Sequence, residues 1–242
     1  MTAIVLAGHG STVSPETGGL VRRAADILRE WRVADEATAA FWKERPGFSE
    51  VADTLQSDKM IVVPVFAARG WYTDVVLPRE LAKGRKDVEY VVTPPIGEHP
   101  RTAELVEEAA KAGVLSSTSP RNPECSVIVI GHGTPKHPGS RDTTFAIVER
   151  LRQEQLAPEV EAAFLDDEPT IAAAVEACTA PTLVIVTNFI AAGGHVGDDV
   201  PDEVAKALAA RSRPTPRRMY SRPRLTAEEI AGMARDLTAH AD

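Results

Sequence analysis

One pattern runs through the chain twice at a fixed spacing of 123 residues, and this repeat limits the fold more than any other feature. "GHG" at 8–10 returns at 131–133, and "AAF" at 39–41 returns at 162–164. Pro46, Phe66, Gly70 and Pro78 have counterparts in Pro169, Phe189, Gly193 and Pro201. Near the end, "RTAELVEEA" from Arg101 answers "LTAEEIAGM" from Leu225 at a spacing of 124, a one-residue loop change. Chance does not hold one offset through so many anchors, so the chain is a tandem duplication. Its halves are expected at 1–115 and 124–242, joined through the Ser/Pro/Asn-rich "SSTSPRNPE" of 116–124.

Each half alternates strand and helix patterns. "SVIVIG" (126–131) and "TLVIVTNFI" (182–190) are continuous apolar runs, as strands buried on both faces require. "VEAAFL" (160–165) and a short stretch around Arg218–Ser221 complete four strands. Helical patterns fall at 142–153, 168–178 and 199–210, with a final one from Thr226. Four β–α units per half imply a parallel sheet covered by helices. The expected class is α/β, with two tandem Rossmann-like or flavodoxin-like lobes, each with a four-stranded parallel sheet.

The chain has 242 residues, 43% of them hydrophobic, with no apolar stretch near the ~20 residues of a membrane span. The first apolar run is short and lacks a basic leader, so no secretion signal is expected. Cys125 and Cys178 have no metal-type spacing, which disfavours iron–sulfur clusters and structural zinc and suits a reducing cytoplasm. A net charge of −8 argues against nucleic acid as partner. The basic, proline-rich "RSRPTPRRMYSRPR" (211–224) is either a solvated connection or a positive rim for an anionic ligand.

Ligands of such sheets bind beyond the carboxyl ends of the strands. In the second half, His132 ends strand one, Asp166, Asp167 and Glu168 follow strand two, and His195 follows strand three. Glycines 131, 133, 193 and 194 let the backbone turn and leave room for a bulky ligand. Two imidazoles and one carboxylate form a divalent-metal set with open positions, suited to Co²⁺, Fe²⁺, Ni²⁺ or Zn²⁺. The first half is an internal control: His9 aligns with His132, but Lys43 stands at Asp166 and Tyr72 at His195. A requirement of packing would not tolerate those exchanges, so the second half is expected to hold the metal. Glu44 opposite Asp167 keeps Asp167 open as the carboxylate.

"GHG", "FLDDEP" and "GGHVGDDVP", after the first, second and third strands, together resemble the class II chelatases, nearest to the cobaltochelatases and ferrochelatases acting on sirohydrochlorin. The resemblance covers both halves and implies a double-length member of that family. It implies a bilobal fold, a carboxylate-rich tetrapyrrole as partner, and a divalent metal (Co²⁺, Fe²⁺ or Ni²⁺) as substrate, with no tightly bound cofactor. His132 and His195 match the metal-binding histidines, while Asp166 stands where the family commonly has glutamate, so Asp166, Asp167 or Glu168 is the carboxylate. His9 and Tyr72 would be vestigial. On this reading His132 accepts a pyrrole proton, as an imidazole titrating near neutral pH can. Lys136, His137, Arg141, Arg69, Gly193 and Gly194 would meet the substrate, with Arg217, Arg218 and Arg222 adding to a cationic rim. The protein is expected to be cytoplasmic, as monomer or homodimer.

The rival reading is a carrier of metal or tetrapyrrole using the same residues. A metallohydrolase has less support, because HExxH and paired-metal patterns are missing. GxGxxG and GxSxG are missing too, which weighs against nucleotide binding and acyl transfer.

Overall fold

Continuous Val, Ile and Leu runs place apolar side chains on both faces of a strand, and such strands are stable only in the middle layer of a sandwich with helices. The computed structural model describes residues 1–12, 15–117, 124–134, 139–190, 199–223 and 225–241, with backbone alone at 15–17 and 140. The first sheet contains β1 (Thr2–Gly8), β2 (Glu36–Phe41), β3 (Lys59–Pro64) and β4 (Glu89–Val92), in the order β2-β1-β3-β4. The second contains β5 (Cys125–Gly131), β6 (Glu159–Phe164), β7 (Thr182–Thr187) and β8 (Arg217–Ser221), in the order β6-β5-β7-β8. Every pairing is parallel. The expected class and strand number therefore hold. In this order the chain changes direction of winding between β1 and β3, and again between β5 and β7, so the ligand position of each sheet lies at those carboxyl ends.

The helices are α1 (Pro15–Glu30), α2 (Leu77–Leu81), α3 (Pro100–Ser117), α4 (Gly139–Gln153), α5 (Ile171–Ala177), α6 (Val200–Ala210) and α7 (Ala227–Thr238). The repeats differ between their second and third strands. Thr170 caps α5 by accepting from the Ala173 amide, and an alanine-rich run follows. The corresponding stretch of the first half, Val51–Thr54, has no side-chain cap and forms a single 3₁₀ turn. The expected four β–α units are thus complete in the second half and abbreviated in the first.

The compact units are Met1–Arg101 with Leu225–Asp242, and Thr102–Arg224. They differ from the expected lobes 1–115 and 124–242 because the last helix of each repeat packs in the other unit. In unit 2, Val106, Ala109 and Ala110 of α3 join Ile147, Val148 and Leu151 of α4 in one core with Val127 and Val129. The Ser221 hydroxyl donates to the Ala109 carbonyl at 2.7 Å, and Arg150 pairs with Glu107 at 2.8 Å. The opposite face of that sheet is covered by α5 and α6. In unit 1 the equivalent layer is α1 beside α7, with Ile230, Ala231 and Ala234 buried and Arg101 paired with Glu229 at 2.9 Å. Among the described residues no helix is long and apolar enough to cross a membrane.

A second brace recurs at the repeat spacing. Glu36 opens β2 and accepts from the Gln56 and Ser57 amides and the Ser57 hydroxyl. Glu159 opens β6 and accepts from the Ser126 and Thr179 hydroxyls and the Thr179 amide. Burial pushes the Glu159 carboxyl upward, but the donated hydrogen bonds outweigh it and hold the group below its ordinary range.

Two outcomes follow. A Cβ on Gly113 would lie 2.6 Å from Val184 Cγ1 and 3.1 Å from Ser221 Cβ, so Gly113→Leu should cost about 1–3 kcal/mol in urea unfolding by lifting α3 from β7. Because the folded Glu159 carboxyl lies below the unfolded value of about 4.3, its stabilisation is full above that value. It is lost as pH falls through the folded value. In pH-dependent melting, Glu159→Gln should lower stability at pH 7 and flatten the decline below about pH 4.5.

Candidate functional site

β5 delivers its last residue, Gly131, to the top of the sheet level with Phe164 of β6. His132 follows, then Gly133 at φ +70°, a turn that side chains rarely adopt. A Cβ at Gly133 would also strike Asp167 Cβ at 2.6 Å and Phe164 Cβ at 2.8 Å, so only glycine fits. The loop after β6 closes on itself: the Phe164 amide donates to the Pro169 carbonyl at 3.0 Å. The Asp166 amide donates to the His132 carbonyl at 3.0 Å, which ties the two loops together.

His132 Nδ1 lies 2.9 Å from the Gly133 carbonyl and 3.5 Å from Asp166 Oδ2. A carbonyl oxygen only accepts, so the proton of the neutral ring is on Nδ1 and the lone pair is on Nε2. The ring therefore presents its basic nitrogen away from Asp166, and the carboxylate sits where it stabilises positive charge on the imidazole. Phe189 stands 6.4 Å from the His132 ring.

The neighbouring acidic residues have different surroundings. The Asp166 side chain is 66% exposed, whereas that of Asp167 is 7% exposed. Asp167 Oδ1 accepts from Arg141 Nη1 at 3.3 Å and from the Glu168 amide at 2.8 Å. Glu168 is turned back on its own loop, accepting from the Thr170 amide at 3.1 Å. Unit 1 repeats the Asp167 arrangement with Glu44, which accepts from the Ser11 amide and pairs with Arg22, each at 2.8 Å. The arginines come from non-equivalent helix positions, so two different solutions serve one brace.

In unit 1, His9 repeats the His132 geometry, with Nδ1 2.9 Å from the Gly10 carbonyl. Lys43 occupies the Asp166 position, and its amide donates to the His9 carbonyl at 2.9 Å. Tyr72 packs edge-on against the His9 ring at 4.9 Å. Arg69 is paired with Glu98 at 3.3 Å. Lys136, His137, Gly193, Gly194 and His195 lie outside the described residues. Among the described residues no three His, Cys, Asp or Glu side chains gather to hold a metal; of the expected ligands, His132 and Asp166 come together.

The expected cationic rim needs correction. Arg217 and Arg218 open β8 opposite Thr182 and Leu183, at the amino end of the sheet. About 10–13 Å of strand separates them from the carboxyl end of β8 at Ser221, which places them away from the rim; Arg222 follows that end. One feature of the site escaped the sequence reading altogether. Asn188 and Thr144 are buried beneath it, with Asn188 Nδ2 donating to Thr144 Oγ1 at 3.1 Å and the Asn188 amide donating to the Ile130 carbonyl at 2.8 Å. The same spacing of 123 places Val65 and Val21 there in unit 1, so comparing buried positions between repeats is the signal that finds the pair.

The CbiX family model matches twice, at residues 3–112 and 126–238. A probable sirohydrochlorin cobaltochelatase of Halobacterium salinarum is 28% identical over 225 residues, spanning 84% of this chain and 76% of the relative. A multi-domain protein of Deinococcus radiodurans with structural similarity to chelatases superposes with a TM-score of 0.74 at 23% identity, covering 99% of this chain. This chain spans 54% of that protein's length. CbiX, the terminal enzyme for siroheme biosynthesis in denitrifying bacteria, superposes at 0.72 and 20% identity, over 100% of this chain and 99% of the other.

The two aspartates should separate in mutagenesis. Asp167→Ala removes the buried partner of Arg141 and should cost about 1–3 kcal/mol in urea unfolding. Asp166→Ala, at an exposed side chain, should stay within about 0.5 kcal/mol of the parent.

Proposed function

The chain belongs to the CbiX family, and from that premise we propose that it inserts a divalent metal ion, Co²⁺ or Fe²⁺, into sirohydrochlorin or a related tetrapyrrole. The observation that carries the reading is the His132–Asp166 pair, set at the carboxyl end of β5 in the repeat whose third strand leads to His195. In the other repeat a lysine and a tyrosine stand in the places of Asp166 and His195.

Insertion breaks two pyrrole N–H bonds and forms metal–nitrogen bonds, so the macrocycle loses two protons and gains a dication with no change in net charge. The protein must hold a partly dehydrated ion, seat the ring over it and accept protons. His132 and His195 hold the ion through imidazole nitrogens, and Asp166, on the Nδ1 side of His132, balances the charge of the site. As the ion passes to the ring nitrogens, the Nε2 lone pair of His132 is freed and accepts a pyrrole proton, since Nδ1 is committed to the Gly133 carbonyl, and the other pyrrole proton leaves to water. Asp166 then stabilises the imidazolium and, being exposed, passes the proton to water. The bracing of Asp167 by Arg141 supports Asp166 over its neighbour for this role.

Substrate contacts are assigned to Lys136, His137, Gly193 and Gly194 around this edge, and to Arg69 in the first repeat. Arg141 contributes through its bond to Asp167, which holds the loop that bears Asp166. The chemistry needs no resident cofactor, and the cytoplasm supplies both substrates.

The visible spectrum of sirohydrochlorin reports insertion directly. Wild type should turn over with Co²⁺ or Fe²⁺, and His132→Ala and His195→Ala should each lose at least about 100-fold in rate. Tyr72→Phe should remain active. Tight metal binding that needs both histidines, without turnover, would make the protein a carrier.

A further inference from the structure

The amino end of the first sheet carries a cavity that the chemistry described so far leaves unused. We infer that it binds a small monocarboxylic acid with an apolar body, held through Arg32. The inference does not rest on the function proposed above, because every residue involved belongs to unit 1 and the cavity lies at the opposite end of β1 from His9.

The cavity has a volume of about 540 Å³, within the range of pockets that enclose small organic ligands. Ile4 of β1 and Ile61 of β3, paired side by side in the sheet, give it an apolar surface. Val33, beyond α1, and Thr238, at the end of α7, add walls. The second repeat uses these positions differently. Leu156 and Val114 stand in the places of Val33 and Thr238 and pack on the core. Glu154 and Lys111, in the places of Trp31 and Arg235, form an ion pair of 2.7 Å. Unit 1 has no ion pair at that point. Its Trp31 is exposed, and the Arg235 guanidinium lies over the ring at 5.7 Å. A smaller wall residue and a missing charge clamp accompany the cavity.

Charge selects the ligand. Arg32 lines the cavity in the turn that ends α1, at φ 54°, where its amide donates to the Arg29 carbonyl at 3.0 Å. Its side chain is exposed and has no ion pair or hydrogen bond among the described residues. Arg235 is already paired with Asp236 at 3.1 Å, and Asp35 accepts from the Thr2 amide at 3.0 Å. The lining holds two cations, Arg32 and Arg235, and one acid, Asp35, a net charge of +1 that a monoanion neutralises. The Arg32 guanidinium offers a carboxylate two parallel N–H donors, while a hydrocarbon body displaces water from Ile4 and Ile61. A dianion such as phosphate would leave one negative charge uncompensated beside Asp35. Gln155 occupies the same turn of the second repeat, also at φ 54°, so the backbone there does not depend on the arginine.

The test is calorimetric titration of 2-naphthoate, and of its uncharged counterpart 2-naphthamide, into the full chain, with circular dichroism reporting the fold. Wild type should bind the acid with a Kd at or below about 1 mM, and the amide about tenfold more weakly. Arg32→Gln installs the residue that the second repeat holds in the same turn, and should raise the Kd of the acid about tenfold while leaving that of the amide unchanged. Val33→Leu, again the residue of the second repeat, narrows the cavity and should weaken acid and amide alike. Should Val33→Leu fail to fold, Arg32→Gln carries the test alone. No saturable binding of 2-naphthoate, or binding that Arg32→Gln leaves unaltered, overturns the inference. Neither metal nor tetrapyrrole enters the titration, so its failure says nothing against the chelatase, and a chain that never inserts metal would still keep this site.

Discussion

A four-stranded parallel sheet has two apolar faces, and both must be covered before it is stable in water. Everything else in this chain answers that requirement. Each sheet draws one helical layer from its own crossovers and completes the other, beside α1 or α4, with the final helix of the opposite repeat. Once both faces are covered, the edge where the strands end remains for chemistry. His9 and His132 both stand at that edge, each one residue beyond a central strand, each with Nδ1 on the carbonyl of the next glycine. The ring orientation is thus a property of the fold, inherited by both copies, and what differs between the copies is the partner set around it.

That difference shows how far two copies of one fold can diverge without losing shape. Glu44 and Asp167 perform the same bracing task with arginines from different helix turns, so the brace has been preserved while its means changed. The next position along has gone from aspartate to lysine with no effect on the backbone, because both residues are exposed there. Beneath the site, Asn188 and Thr144 form a polar pair where Val65 and Val21 are simply apolar. A buried hydrogen bond adds directional constraint that a pair of valines lacks. It lies only under the copy that carries His132 and Asp166.

Much of this was legible in the sequence. The offset of 123 and the uninterrupted apolar runs set the class, the strand number and the edge on which His132, Asp166 and His9 fall. The helix exchange was not legible. "RTAELVEEA" and "LTAEEIAGM" present nearly the same amphipathic stripe, so either helix satisfies either sheet, and periodicity carries no information on which one it joins. Arg217 and Arg218 looked like part of a basic rim because a charge run says nothing of which end of a strand it occupies; the register with Thr182 and Leu183 decides that. The separate roles of Asp166 and Asp167 likewise depend on burial, which two adjacent identical letters cannot convey.

The exchanged helices also give the molecule a direction in time. Thr102–Arg224 is one uninterrupted stretch, and all the strands and helices of its unit are present once Arg224 has been made. The unit that begins at Met1 must wait for Leu225–Asp242, which is made only after the whole of the other unit. The second unit in the sequence is therefore the first that can close. Until then the face that α7 will cover keeps its apolar side chains open to water, with residues such as Ile4, Leu6 and Ile61 among them.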